Sequence, residues 1–142
     1  LKACYPDGYR DKTGAAMARI LGLGGVFFTC ADSEATKAWY ARVLGMSPDE
    51  DGGLAFLHGE TAAAFPQGAR TVFAPFPDGR YFAPSEAPFM LNLIVDDLDA
   101  VLARARAEGV EEVQPREAHP YGHFGWIMDP DGRKLELWQP PG

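Results

Sequence analysis

The chain is defined first by what it has little of. Its 142 residues hold two cysteines, Cys4 and Cys30, one near the terminus and one closing an apolar run. Neither a disulfide framework nor a CxxC metal knuckle can be drawn from such a pair, and both thiols read as buried or idle in a reducing compartment. Positive charge is also scarce: 13 Lys and Arg stand against 20 Asp and Glu, for a net charge of -7. No basic run interrupts that balance, so a polyanion such as nucleic acid is repelled by the average surface. No apolar stretch approaches the ~20 residues of a membrane span, and no signal-peptide pattern is present. A serine nucleophile elbow and a phosphate-cradling loop are missing too, because Gly22-Leu23-Gly24-Gly25 lies inside an apolar run rather than between a strand and a helix. With 46% hydrophobic and 23% charged residues, the composition reads as one ordinary cytoplasmic domain.

Residues 1–16 are polar and Gly-rich without periodicity, and read as a flexible N-terminal extension to a single domain over 17–142. A strand is expected over 20–30. Asp32 then caps a helix on which Ala35, Ala38, Trp39 and Val43 recur, with Gly45 closing it. Strand-like pieces follow at 53–58, 61–65 and 70–76, and 77–88 reads as a Pro-, Gly- and aromatic-rich linker. The order then repeats. A strand is expected over 89–95, and Asp97 caps a helix carrying Leu98, Val101, Leu102 and Ala105 up to Gly109. A strand over 110–114 and a closing hairpin complete the unit. Asp97 repeats Asp32 at a spacing of 65 residues, and Gly109 repeats Leu44 at the same spacing. The chain is thus two βαβββ modules, about 20–76 and 89–140, in an α+β fold where neither module can bury its own sheet face.

The hairpin over 123–138 is the firmest local feature. Two alternating runs flank Asp129-Pro130-Asp131-Gly132, where proline presets the turn and Gly132 can adopt a left-handed conformation. Alternation sends Leu135 and Leu137 to the helix side with Leu91, Leu93 and Val95, and sends Lys134, Glu136 and Trp138 to the other. A carboxylate there costs free energy unless something pairs with it. If Gly132 forms a bulge, Asp129 pairs with Arg133, and Phe124, Trp126 and Met128 share the face of Glu136. The opposite register would bring His123 and Gly125 there instead. In the earlier strands Phe27 and Thr29, and Met90 and Asn92, fall on that same mixed face.

Three motifs in this order, Trp39-Tyr40…Leu44-Gly45, Val95-Asp96-Asp97-Leu98-Asp99 and Asp129-Pro130-Asp131-Gly132…Leu135-Glu136-Leu137, resemble the vicinal oxygen chelate superfamily. That group includes glyoxalase I, bleomycin-resistance proteins, fosfomycin-resistance enzymes and extradiol dioxygenases. The resemblance covers about 20–140. It implies a cupped mixed sheet around a concave cavity with helices outside, and often a homodimer. In the superfamily's enzymes it implies a divalent metal held by a His or Gln in the first strand of each module and a carboxylate in the last. Those positions fall here on Gly25, Met90, Phe73 and Glu136, so one ligand of four is present. Glycine and phenylalanine offer no donor, and a thioether suits hard divalent ions poorly.

Two functions follow from these placements. The first is binding of a small aromatic molecule, without the family's metal, by Phe27, Thr29, Phe73, Met90, Asn92, Trp126 and Trp138. Glu136 would act there as counter-charge or acid–base group. The alternative is an enzyme, a glyoxalase-like lyase or isomerase or a dioxygenase type, using Glu136 as base or metal ligand. A role through a dimer surface alone ranks below both. His119 and His123 read as solvated loop histidines. The segment Phe76-Pro77-Asp78-Gly79-Arg80-Tyr81-Phe82 reads first as a linker, with a position over the cavity mouth or at a dimer contact as the other possibilities.

Overall fold

A computed structural model describes residues 13–14 and 18–142. The extension read over 1–16 lies, apart from Thr13 and Gly14, outside the described residues, as does Cys4; Cys30 is a half-buried free thiol.

Helix α1 (Ser33–Leu44) begins at Asp32, whose carboxylate accepts from the Ala35 amide at 3.0 Å. It ends at Gly45 with φ of 72°, where the Gly45 amide returns to the Ala41 carbonyl. Helix α2 covers His58–Ala64, and a single 3₁₀ turn covers Arg80–Phe82. Strand β1 (Leu91–Ile94), helix α3 (Leu98–Ala107), β2 (Glu117–His119), β3 (Gly122–Met128) and β4 (Lys134–Gln139) complete the chain. Helix α3 repeats the start of α1, with the Asp97 carboxylate accepting from the Ala100 amide at 2.9 Å.

The fold is α+β with one mixed sheet in the order β1-β4-β3-β2, and α1 and α3 pack against it. Strands β1 and β4 run parallel, while β3 runs antiparallel to both β4 and β2. The bulged register is the one adopted. The Asp129 amide donates to the Arg133 carbonyl at 2.9 Å, Gly132 has φ of 78°, and Trp126 stands opposite Glu136. Leu91, Leu93 and Val95 join Ile127, Leu135 and Leu137 under Val101, Leu102 and Ala105 of α3 and Val43 of α1. Gly125 makes this close packing possible: a Cβ there would lie 2.8 Å from Leu102 Cδ1.

The two halves are joined by a buried polar knot in the β3–β4 turn. Asp129 accepts from the Tyr40 hydroxyl at 2.9 Å, from Arg133 Nη1 at 2.7 Å, and from the Asp131 and Arg133 amides at 2.9 Å. Arg133 also donates to the Thr29 carbonyl and lies over the Phe28 ring at 4.5 Å. Burial, with the adjacent Asp129 charge and hydrogen bond, raises the Tyr40 phenol well above its ordinary range.

Several local expectations are corrected. On α1 the inward residues are Thr36, Tyr40 and Val43, with Ala35 and Ala38 turned outward. The segments 20–30, 53–58 and 70–76 are apolar and strand-like in composition, but no pairing forms there among the described residues. Phe28 meets Arg133 and Phe76 packs on Tyr81, but much of the remaining apolar surface is open: Phe27 is 97% and Phe73 86% exposed. A strand without a ladder or a face to bury gains too little to fix its backbone. The segment 61–65 falls largely in α2, because Glu60-Thr61-Ala62-Ala63-Ala64 is dominated by good helix formers. The strand expected over 110–114 contributes one bond, from the Val113 amide to the Trp126 carbonyl at 3.0 Å. Pro115 then removes a donor, and pairing resumes at β2.

Candidate functional site

The sheet face turned away from α1 and α3 gathers the polar and aromatic side chains. Glu136 lies at its centre, 8% exposed, between Trp126 on β3 and Asn92 on β1. Three donors converge on its carboxylate: Asn92 Nδ2 at 2.7 Å, Trp126 Nε1 at 2.9 Å and the Tyr81 hydroxyl. The charge that the sequence placed awkwardly between two leucines is therefore solvated by the protein itself. Tyr81 belongs to the 3₁₀ turn of the inter-module segment, so that segment lies over Glu136. Burial, the hydrogen bond to Glu136 and the Glu136 charge push the Tyr81 phenol well above its ordinary range.

Beside this carboxylate sits Lys134, 2% exposed, with Nζ donating to the Tyr81 carbonyl at 2.9 Å and to Gln114 Oε1 at 2.6 Å. Its ammonium lies 5.1 Å from the Tyr81 ring centre and 5.8 Å from that of Trp126. Burial lowers its pKa, opposed by the charges of Glu136 and Glu117. Farther along, Phe124 stacks on Trp126 (6.3 Å between centres, 19° between planes) and on Trp138 (6.1 Å, 5°). Arg70 covers the Trp138 ring at 5.6 Å, and Trp138 Nε1 donates to the Tyr121 carbonyl at 2.8 Å. His119 stacks on Tyr121 with its Nε2 beside Glu117, and His123 is exposed on the opposite face.

Of the eight residues singled out from sequence, the structure brings together Glu136, Asn92, Trp126 and Trp138. Met90 is half-buried just before β1. Thr29 lies at the other end of β4, lining a cavity of about 550 Å³ with Phe89, Met128 and Arg133. Phe27 and Phe73 face solvent. Sequence reasoning placed Lys134 on this face but gave it no role, reached Tyr81 only within a linker that could cover the cavity mouth, and gave Gln114 no role. The signal for Tyr81 lay in the aromatic spacing of the linker; nothing in it named Glu136 as the partner.

The neighbourhood does not fit the divalent metal of the superfamily's enzymes. The groups around Glu136 are an amide, an indole N–H, a phenol and an ammonium, all turned toward the carboxylate as donors or carrying positive charge. Among the described residues no three His, Cys, Asp or Glu side chains come together as a ligand set. The arrangement is a carboxylate acceptor walled by Trp126 and Trp138, each buried and stacked on Phe124, with half-exposed Tyr81 on its solvent side.

Residues 25–138 match the family model described as a glyoxalase-like domain. No curated protein matches the chain. Among solved structures, a protein from the mobile metagenome of V. Pseudocholerae is 22% identical, with a TM-score of 0.55 over 89% of this chain and 99% of that one. TnmS3, an antibiotic binding protein from Streptomyces sp. CB03234, is 27% identical over 78% of this chain and 88% of its own, with a TM-score of 0.44. A glyoxalase/bleomycin resistance protein from the same organism is 28% identical, covering 77% and 92%, with a TM-score of 0.45.

Proposed function

The chain belongs to the glyoxalase-like domain family, and we propose that it binds a small planar aromatic molecule on the helix-distal face of its sheet, with Glu136 as the polar anchor. The observation that carries this reading is a buried carboxylate surrounded by stacked aromatic rings. The stacked faces supply dispersion and shape, and the single carboxylate supplies orientation and a preference for ligands bearing a donor or positive charge. The protein works in the cytoplasm. A second copy completes the binding wall by covering the apolar surface of the first half, a role supported by the exposure of Phe27 and Phe73.

The test is titration of the protein with neutral and cationic planar polyaromatic compounds, read by calorimetry and by quenching of tryptophan emission. Binding in the micromolar range that weakens in Glu136→Gln and Trp138→Ala supports the reading. Absence of binding by every compound at millimolar concentration overturns it. The enzymatic alternative, with Glu136 as base or metal ligand, is tested alongside by a thermal-shift screen against Ni, Zn, Mn and Fe. A stoichiometric metal that is lost in Glu136→Gln would favour that alternative.

A further inference from the structure

We infer that Tyr81 is an internal occupant of the Glu136 site, and that the site's ligand displaces it by presenting an O–H or N–H donor on a planar ring. This inference rests on the binding reading above and specifies the ligand class and its competitor.

The geometry of Tyr81 is that of a bound phenol. Its hydroxyl donates to Glu136, and one neighbour of its ring is Phe76, stacked at 5.5 Å with 10° between planes. The Lys134 ammonium approaches the same ring at 5.1 Å. A carboxylate acceptor and a cation over a π-face are what the sheet offers a flat phenolic ligand, while Phe76 belongs to the turn and travels with Tyr81. Here they are spent on a residue of the chain's own linker. Yet Tyr81 itself is 40% exposed, whereas Glu136, Trp126 and Lys134 beneath it are buried. The occupant therefore sits on the solvent side of what it covers, where a competing ring can replace it.

The turn that carries Tyr81 is built to move as a unit. The Phe82 amide bonds to the Gly79 carbonyl at 2.9 Å, and the Ser85 amide to the Phe82 carbonyl at 2.9 Å. Asp78 accepts from the Arg80 amide and side chain at about 3 Å. Phe76 packs on both Tyr81 and Phe82. These bonds are internal to 76–85. The polar ties from the turn to the sheet run through Tyr81, by its hydroxyl to Glu136 and its carbonyl to Lys134 Nζ. Lifting the turn breaks those two bonds and leaves its internal bonds intact. A ligand donor then restores the hydrogen bond to Glu136, and Lys134 Nζ keeps its bond to Gln114 Oε1.

Calorimetric titration with 1-naphthol and with its methyl ether, 1-methoxynaphthalene, separates the possibilities. The ether has the same rings and no donor. Relative to wild type, Tyr81→Ala should bind 1-naphthol roughly 10- to 100-fold tighter, the value of one hydrogen bond to a charged acceptor no longer contested. The gain for the ether should be several-fold smaller. Tyr81→Phe, which keeps the ring packing and removes only the hydroxyl, should also gain for 1-naphthol, by less than Tyr81→Ala. It guards against an alanine variant that does not fold, which circular dichroism would report. If wild type, Tyr81→Phe and Tyr81→Ala bind 1-naphthol equally, the internal-occupant inference is overturned while aromatic binding stands. Equal gains for naphthol and ether overturn the donor requirement. No binding in any variant, with every variant folded, overturns the binding reading itself.

Discussion

Replacing Glu136 by Leu should cost more than its loss of charge suggests, because of a single atom. Three donors point at the carboxylate, but their alternatives differ. Tyr81 is 40% exposed and Asn92 is exposed, so both can turn to water when their acceptor is removed. Trp126 is 1% exposed and cannot, which leaves its indole N–H buried without a partner. An orphaned buried donor costs about 1–3 kcal/mol, and Lys134 loses the nearest opposing charge on its face. Glu136→Leu is therefore expected to destabilise by about 2–4 kcal/mol, partly offset by removing a buried charge. Glu136→Gln keeps an oxygen for Trp126 while Asn92 turns its amide over, and should cost about 1 kcal/mol. Trp126→Phe alone removes the donor and should cost under about 2 kcal/mol. Urea denaturation followed by circular dichroism gives the double-mutant cycle. The variant combining Glu136→Leu with Trp126→Phe should be more stable than the sum of its parts by about 1–3 kcal/mol. Additivity within about 0.5 kcal/mol would refute the claim that the Trp126 N–H depends on Glu136.

Other perturbations probe the frame around the site. Asp129→Ala removes the acceptor of the Tyr40 hydroxyl and the closer of the two carboxylates on the buried Arg133 guanidinium, which keeps Asp131 and the Thr29 carbonyl, and should lower stability by about 3 kcal/mol in the same denaturation assay. Asp97→Ala removes the α3 cap and should cost about 1 kcal/mol, with no loss of the β3–β4 register in amide exchange. Tyr40 and Tyr81 hold their protons above the ordinary phenol value of 10.0, so the unfolded chain releases them first as pH rises. Their stabilising contribution is complete below pH 10 and is lost above it, and Tyr40→Phe or Tyr81→Phe should flatten that alkaline decline in thermal melts. The Lys134 contribution runs the other way. Its lowered value makes the folded ammonium give up its proton first, so its penalty is relieved as pH climbs toward 10.5, and Lys134→Met should deepen the alkaline decline.

What the sequence disclosed follows the range of the forces involved. The second module could be read because its signals are local: the Asp97 cap, the apolar positions of α3, and a turn whose proline and glycine set a bulge. Once the bulge is placed, period-2 alternation puts Trp126, Lys134, Glu136 and Trp138 on one face. The first half shows the limit of the same reasoning. Its segments are as apolar as β1, but β1 gains a parallel partner in β4 and a helix over its inner face, and among the described residues 20–30 gains neither. Alternation states which face would be buried if a layer existed; it does not supply the layer.

Tyr81 marks the other limit. It stands 55 residues from Glu136, in a turn whose sequence signals concern only its own hydrogen bonds. A carboxylate at the centre of a sheet announces that it needs donors, and alternation puts Asn92 and, with the bulge, Trp126 on its face without naming either as its partner. The remaining donor could come from any segment long enough to reach. Closing a loop of that length costs little more than closing a shorter one, since the entropy grows only with the logarithm of length. Sequence distance therefore excludes no linker residue as the partner. What selects Tyr81 is a hydroxyl that reaches Glu136 from the end of a rigid ring whose face receives Lys134. Those are properties a planar phenolic ligand shares, and the same set of contacts explains both why the linker settles on Glu136 and why a ligand can take its place.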